Sequence, residues 1–470
     1  MSGPATRPNI DSSPLRVCLV GPVAQSIPPT RSGSIETVTA MLADGLVTRG
    51  HDVTLFATGD SATRARVHAV FPQGYHEDTS LWPWELCELF NLAAAVERAR
   101  EFDVIHYQAE YSPISLGYAR VCPTPLLQTV HHAPTSSEVA VWARYPDAPF
   151  IAVSQSQAQR LAGLNIVDTI QHAVDPKTFR FQSPPDDYLL FLGRFTEEKG
   201  VVDAIEVARS TGRRIILAAA ENEYYRQVVA PLVDNRSVSY AGEVELPDKV
   251  ALLQHATALL YPLRSAESFG LVLAEAMMCG TPVAALARGA VRDVVDNGVT
   301  GYVFPTLSAL QSGLDKVLTL DRAKVRAQAE ARFGPNRMVD AHVASMPVCP
   351  TLPIKWPAHG EHLCLRSSQS LLIQTTNHSP AVVYWPTVLL TVSMCLSSVP
   401  PTGNTEATGP HYLPIGSGKS AQQNSPPQHR SLAWPTSRSS TMKTGCCPGS
   451  TPPGWSLTSV PRYSGRSLTS

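Results

Sequence analysis

The chain is poor in several things, and each shortage excludes something. Charge of one sign is the first. Its 470 residues carry 38 Lys and Arg against 39 Asp and Glu, a formal net charge of −1. A chain without a strong steering field is not built to coat DNA or RNA, so no nucleic-acid partner is expected. Paired C-x2-C units are missing too. The nine cysteines therefore do not read as a zinc site but as buried or free thiols in a reducing compartment. Long apolar runs are also missing. The first, Val17 to Val20, follows a start with little positive charge and reads as a strand, not a signal peptide, which makes a cytoplasmic location the expectation. Ala381 to Leu396 is apolar, but it is short for a membrane span and broken by Pro386.

Acidic residues almost vanish near the end. Residues 347–470 hold only Glu361 and Glu406 against eight Lys or Arg, and 17 of the 40 prolines. Helical periodicity disappears there, and Ser, Thr and Pro dominate. Such a segment cannot form a packed core. Residues 346–470 are expected to be a disordered or out-of-frame tail, and residues 1–14 a loose leader.

What remains is well patterned. Leu15 to Gly21 is a buried strand ending in a turn. A loop with Pro28, Pro29 and Gly33 follows. Ile35 to Arg49 then has helical spacing, with Val38, Met41, Leu42 and Leu46 on one face and Gly50 as the stop. His51 to Phe56 is the next strand. This strand-helix-strand alternation continues, with a helix over Trp84 to Arg100 and strands at 103–107, 125–132 and 150–154. The last but one of these ends in His131 and His132. A first wound α/β domain is thus expected over 15–178, a linker over 179–187, and a second such domain over 188–345. In the second domain strands are expected at 188–193, 214–218, 237–240, 258–261, 282–285 and 302–304, with helices at 201–210 and 271–279.

Two segments of the second domain carry chemistry. Gly193-Arg194-Phe195-Thr196-Glu197-Glu198-Lys199-Gly200 lies between a strand and a helix, where open α/β sheets bind ligands. Gly193 allows close backbone approach, and Arg194 and Lys199 can clamp a diphosphate. Glu267 and Glu275 flank a second segment, with Gly270 at a helix start whose free N–H groups suit phosphate or sugar oxygens. Along a helix the two carboxylates would stand roughly 12 Å apart, so they cannot act on one bond. They fit opposite ends of one extended, hydroxyl-rich ligand. Leu271 to Met278 is so apolar that Glu275 is expected to be buried, and a buried carboxylate needs a partner.

These segments, with Tyr240-Ala241-Gly242-Glu243-Val244 and Asp296 to Phe304, resemble the donor domain of glycosyltransferase family 4 (glycosyl transferases group 1). The resemblance spans about 15–345. It implies a GT-B fold, two Rossmann-like domains facing a cleft, and retaining transfer of a hexosyl group from a UDP- or GDP-linked sugar to a hydroxyl acceptor. It further implies that Arg194 and Lys199 bind the donor diphosphate and that Glu267 holds sugar hydroxyls. Gly193, Phe269, Gly270 and Leu271 would lie along the donor, and Glu275 would hold the ribose. No metal or cofactor is implied.

The first domain departs from the family more. Gly33 and Ser34 stand where a Gly-rich loop approaches the donor, with Ser34 able to serve at a helix N-terminus. His131, with His132 as substitute, stands where the family has an active-site histidine that hydrogen-bonds the transferred sugar. Ile170-Gln171-His172-Ala173-Val174-Asp175 and Ala218-Ala219-Ala220 also differ from the usual pattern. A terminal helix crossing back onto the first domain is expected, begun by Arg337 to Val343 and dissolving at Met346. Small-molecule, glycan and lipid acceptors all fit, the last with a peripheral membrane contact. Two alternatives share the fold: a sugar phosphorylase or epimerase, and a truncated, non-catalytic nucleotide-binding relative. A nicotinamide dehydrogenase does not fit, because Gly21 is followed by Pro22-Val23-Ala24-Gln25 without a second glycine.

Overall fold

Two parallel sheets of buried strands organise the chain. The computed structural model describes residues 13–346 apart from Arg31 and 110–112; the leader and the tail fall largely outside the described residues. The first sheet is built from β1 (Arg16–Val20), β2 (Asp52–Phe56), β3 (Arg66–His68), β4 (Val104–Tyr107), β5 (Leu126–Thr129), β6 (Pro149–Ala152) and β7 (Asn165–Thr169). Its order is β3-β2-β1-β4-β5-β6-β7. Helices α1 (Ser34–Thr48), α2 (Trp84–Glu97), α3 (Ser136–Trp142) and α4 (Gln155–Arg160) connect its strands.

The second sheet contains β8 (Leu189–Leu192), β9 (Ile215–Ala218), β10 (Val238–Tyr240), β11 (Ala258–Tyr261), β12 (Val283–Leu286) and β13 (Gly301–Phe304), in the order β10-β9-β8-β11-β12-β13. Around it lie α5 (Val201–Ser210), α6 (Leu246–His255), α7 (Leu271–Met278), α8 (Val291–Val294), α9 (Leu307–Leu318), α10 (Arg322–Phe333) and α11 (Pro335–Ser345). Both orders reverse next to the first strand of their sheet, and the crevice beyond the strand ends at that reversal is where such sheets take ligands.

The sequence explains the strands directly. In β1 every residue after Arg16 is buried, and β4, β11 and β12 are buried throughout. Sheets covered on both faces by helices need such unbroken apolar runs instead of alternation. Boundaries differ from the sequence expectation in places. β5 stops at Thr129, so His131 and His132 sit on the loop beyond it, where the backbone is free to turn toward the cleft. Helix α2 ends at Glu97 and is followed by a 3-10 turn, Ala99–Glu101. β3 and β7 carry too few apolar residues to stand out, and their side chains are partly or fully exposed.

Helix α11 comes last in the described chain yet packs on the first sheet's layer. Met338 and Val339 are fully buried in the first domain's apolar core, which also holds Val38, Leu42 and Leu46 of α1. Arg49 Nε binds Asp340 Oδ1 at 2.6 Å, and Ser345 Oγ donates to Asp168 at 2.6 Å. The expected crossing of the terminal helix back onto the first domain is thus present, although the 188–345 boundary counts the helix with the second. Gly45 allows the close approach, since a Cβ there would lie 2.4 Å from Val339 Cγ2. Gly45→Ala gains about 1 kcal/mol of helix propensity but must push a stiff β-branched side chain aside. It should destabilise the protein by about 1–2 kcal/mol net, and Val339→Ala in the same chain should restore the melting temperature. A Gly45→Ala variant that melts higher on its own would refute this packing argument.

Candidate active site

The loop after β8 and the loop after β11 meet at the reversal point of the second sheet. Gly200, the residue before α5, is left-handed (φ 72°), and a Cβ on it would fall 2.1 Å from the Pro262 carbonyl oxygen. Only glycine brings these loops so close. Arg264 then bolts them together. It binds Asp203 through two nitrogens at 2.7 and 2.8 Å and Glu197 at 3.0 Å, while its own N–H donates to the Glu198 carbonyl at 2.8 Å.

That junction places Lys199 beside Glu267. Lys199 Nζ lies 3.1 Å from Glu267 Oε2, and Tyr261 OH donates a short hydrogen bond to the same oxygen. Lys199 also stands 5.8 Å from the Tyr261 ring centroid. The Ser268 N–H donates to Glu267 Oε1 at 3.1 Å. Burial pushes the Glu267 carboxyl up, but the Lys199 charge and the Tyr261, Lys199 and Ser268 hydrogen bonds together hold it below the ordinary range. Burial and the neighbouring carboxylate raise the Tyr261 hydroxyl well above its usual value, so it remains a donor. Arg194 is exposed on the same loop and forms no ion pair with a described residue. A side chain at Gly193 would meet open space.

Glu267, Ser268 and Phe269 lead into α7. Gly270 caps this helix in a left-handed conformation (φ 81°), and Leu271 is its first residue. Phe269 is buried, edge-on to His172 at 5.0 Å and to Phe333 at 5.9 Å. Glu275, one turn further in, is 3% exposed. Its required partner is Lys249 of α6, whose Nζ lies 2.6 Å from Glu275 Oε1 and 5.6 Å from the Phe179 ring. The two glutamates thus pair with separate cations.

The first domain supplies the facing wall. The Ser268 hydroxyl donates to the His131 carbonyl oxygen at 2.9 Å, which ties the two loops directly. The His131 ring lies 2.9 Å from Gln108 Oε1 through Nε2 and 3.4 Å from His172 Nε2 through Nδ1. Burial first, then the neighbouring histidines, drives its pKa well below the usual value, so the ring is neutral. His132 turns the other way, to Glu138 at 3.0 Å and edge-on to Trp142. Gly33 precedes α1 and has extended backbone. Its smallness is needed for another reason: a Cβ would lie 2.6 Å from both Gln25 Nε2 and Glu36 Oε2. Ser34 is the first residue of α1, one position past the capping place, and no side chain caps that helix.

Tyr261, Lys249, Gln108 and His172 join the site without having been singled out for it in the sequence. Lys249, Gln108 and His172 reach a motif residue from 26, 23 and 41 residues away, whereas Tyr261 ends the strand six residues before Glu267; only His172 left a sequence signal, as a departure from the family pattern. Among the described residues no His, Cys, Asp or Glu cluster is arranged to hold a metal ion, and no helix is long and apolar enough to cross a membrane.

Residues 176–333 match the family Glycosyl transferases group 1, and residues 35–178 match Glycosyltransferase Family 4. The chain belongs to glycosyltransferase family 4. This glycosyltransferase is 25% identical over 371 residues to the phosphatidyl-myo-inositol mannosyltransferase of Mycobacterium tuberculosis, covering 70% of this chain and 95% of that one. It is 27% identical over 370 residues to the D-inositol 3-phosphate glycosyltransferase of Mycolicibacterium paratuberculosis, covering 67% and 82%. Among solved structures it is similar to AviGT4, a glycosyltransferase involved in avilamycin A biosynthesis, with a TM-score of 0.55, 25% identity and coverage of 71% and 97%. Anabaena HepE in complex with UDP and glucose, at 18% identity, covers 71% and 100% with a TM-score of 0.55 and shares the GT-B fold.

Proposed function

We propose that this glycosyltransferase moves a hexosyl group from a UDP- or GDP-linked sugar to a hydroxyl acceptor, with retention of configuration and without a metal ion. The observation that carries the reading is the Lys199–Glu267–Tyr261 cluster at the mouth of α7, facing His131. A departing nucleoside diphosphate gains negative charge, and preorganised cations and helix N–H groups stabilise it as it forms. Lys199, Arg194 and the α7 N-terminus at Gly270 and Leu271 fill that role, which a divalent ion would otherwise take. Glu267, held ionised, accepts from sugar hydroxyls. Neutral His131 hydrogen-bonds the sugar, and Glu275 takes the ribose at the far end.

Retention follows if the acceptor attacks the face the phosphate leaves and the departing phosphate accepts its proton. In support, Glu267 and Glu275 are each engaged with a separate lysine and do not flank one bond as a glycosidase pair would. The relatives' inositol-containing acceptors make a polyol or a lipid headgroup the acceptor classes to try first.

Thermal shift of the full-length chain with UDP, GDP and ADP tests the donor site, because a ligand that binds only the folded state raises the midpoint. A selective rise with UDP or GDP, lost in Glu275→Ala, is expected. A cooperative transition that no nucleotide moves would refute the donor reading.

A further inference from the structure

Four histidines line up behind the cleft, and the transfer chemistry so far uses one. His342 of α11 lies 5.4 Å from His106 of β4, ring centroid to ring centroid. Gln108 Nε2 lies 2.9 Å from His106 Nε2, and Gln108 Oε1 lies 2.9 Å from His131 Nε2. The His131 ring stacks on His172 (5.2 Å, 19°), and His172 meets Phe269 edge-on (5.0 Å, 73°). His172 is therefore held between the histidine of the first domain and the donor loop of the second. It sits on the crossing between the two sheets.

The donor and acceptor inventory fixes the protons of this string. An amide oxygen only accepts, so His131 Nε2 must carry the hydrogen that meets Gln108 Oε1. In a neutral ring Nδ1 is then a lone pair, and the hydrogen at the 3.4 Å contact must come from His172 Nε2. The Gln108 amide N–H in turn donates to the His106 lone pair. This assignment satisfies both ring nitrogens of His131 with all rings neutral. Burial supports it, pushing His172 down to about 3.

We propose that His172 is a positioning residue. By donating to Nδ1 and stacking on the ring, it holds His131 as the Nε2–H tautomer, and through Phe269 it registers His131 against the Glu267–Gly270 loop. The inference rests on the reading that His131 hydrogen-bonds the donor sugar, a sugar oxygen taking over the Nε2–H that Gln108 Oε1 accepts in the free protein. With Ser268 already tying the donor loop to the His131 backbone, the same contact sets the angle of the imidazole to the sugar, so the effect falls on turnover more than on donor affinity.

The experiment uses the full-length chain with ¹⁵N-labelled histidine, the His131 signals being assigned by their loss in His131→Gln. Free wild-type protein at pH 7.5 should show His131 neutral and protonated on Nε2 alone, with Nδ1 hydrogen-bonded. A ring protonated on Nδ1, or a cationic one, overturns the proposal. His172→Phe keeps a flat buried ring against Phe269 but removes the donor, and should move the Nδ1 signal toward that of a free lone pair. His172→Gln offers an amide N–H in place of Nε2 and should restore it. Release of nucleotide from UDP-glucose or GDP-mannose should show kcat about tenfold lower in His172→Phe with KM within about twofold, and most of it recovered in His172→Gln. Equal losses in both variants, tracking a fall in melting temperature, would reduce His172 to packing and overturn the proposal. If His131→Gln turns over donor like wild type, the underlying reading of His131 fails. If it is impaired while His172→Phe is not, only this inference fails. Should neither sugar be turned over, the nitrogen signals decide alone.

Discussion

Lys199→Met should reduce donor turnover by about 10²–10³-fold, the usual consequence of removing one preorganised group from a site where charge develops. In the proposed function the variant loses one of the cations that stabilise the departing diphosphate. It also strands Glu267, which keeps only the Tyr261 hydroxyl and the Ser268 N–H. An ionised carboxylate 14% exposed without its cation is costly, so Lys199→Met should also cost about 1–3 kcal/mol of stability. Glu267→Gln removes the charge along with the need for it, and should be milder for stability while still impairing turnover. The double variant separates the two effects. It should recover most of the stability of Lys199→Met and none of its turnover. Lys199→Met with turnover within threefold of wild type would rule out this lysine as the diphosphate clamp.

The second large effect is acid lability. His106, His131, His172 and His342 all have pKa values lowered primarily by burial, with His172 at about 3 and His342 at about 4. Arg337 adds to the lowering at His172 and His342, while the Met338 carbonyl and Asp168 oppose it at His342. A histidine that folds neutral binds its proton more weakly than in the unfolded chain, so low pH favours unfolding. The stabilisation is fully present above about pH 6.5 and erodes as the pH falls below it. The loss ends only at the folded values. Each such histidine contributes about 1.4 kcal/mol per pH unit inside that window. Four together would exhaust a typical stability of about 5–15 kcal/mol within a few pH units. The melting temperature should therefore drop steeply between pH 6.5 and 4.5, before most carboxylates titrate, and His342→Phe should flatten the slope by about one proton. A melting temperature level across that interval would contradict the burial of the cluster.

Much of the fold can be read from the chain because parallel strands covered on both faces must be continuous apolar runs. Val17 to Val20, Leu189 to Leu192 and Ala258 to Tyr261 announce themselves. The helices at 201–210 and 271–278 follow from glycines placed before them. β3 and β7 do not announce themselves, since edge strands need no apolar run. At the site, Lys199, Glu267 and Glu275 are legible because their motifs are compact in sequence. Their partners are not. Lys249 lies 26 residues from Glu275 on a helix of ordinary composition, and Gln108 and His172 reach His131 from 23 and 41 residues away. Little in the local sequence marks those residues: Gln108 and His172 are brought to His131 by the order β4-β5-β6-β7 of the first sheet, and Lys249 is brought to Glu275 by the packing of α6 on α7. Gly33 is legible as a special position but for a different reason than its motif suggests, since the crowding comes from Gln25 and Glu36.

The docking of α11 gives the molecule a timetable. On the ribosome, the first domain emerges with the apolar side of α1 uncovered, and the partner it needs is the last described helix to be made. Arg49 waits 291 residues for Asp340. Until then the stretch of α1 around Gly45, which Val339 covers in the finished protein, lies open to any other apolar segment in reach, including one from a neighbouring nascent chain. The first domain is thus started first and finished last, and the second domain is complete in sequence before the strap arrives. A break in the reading frame upstream of residue 335 would damage the first domain as surely as the second.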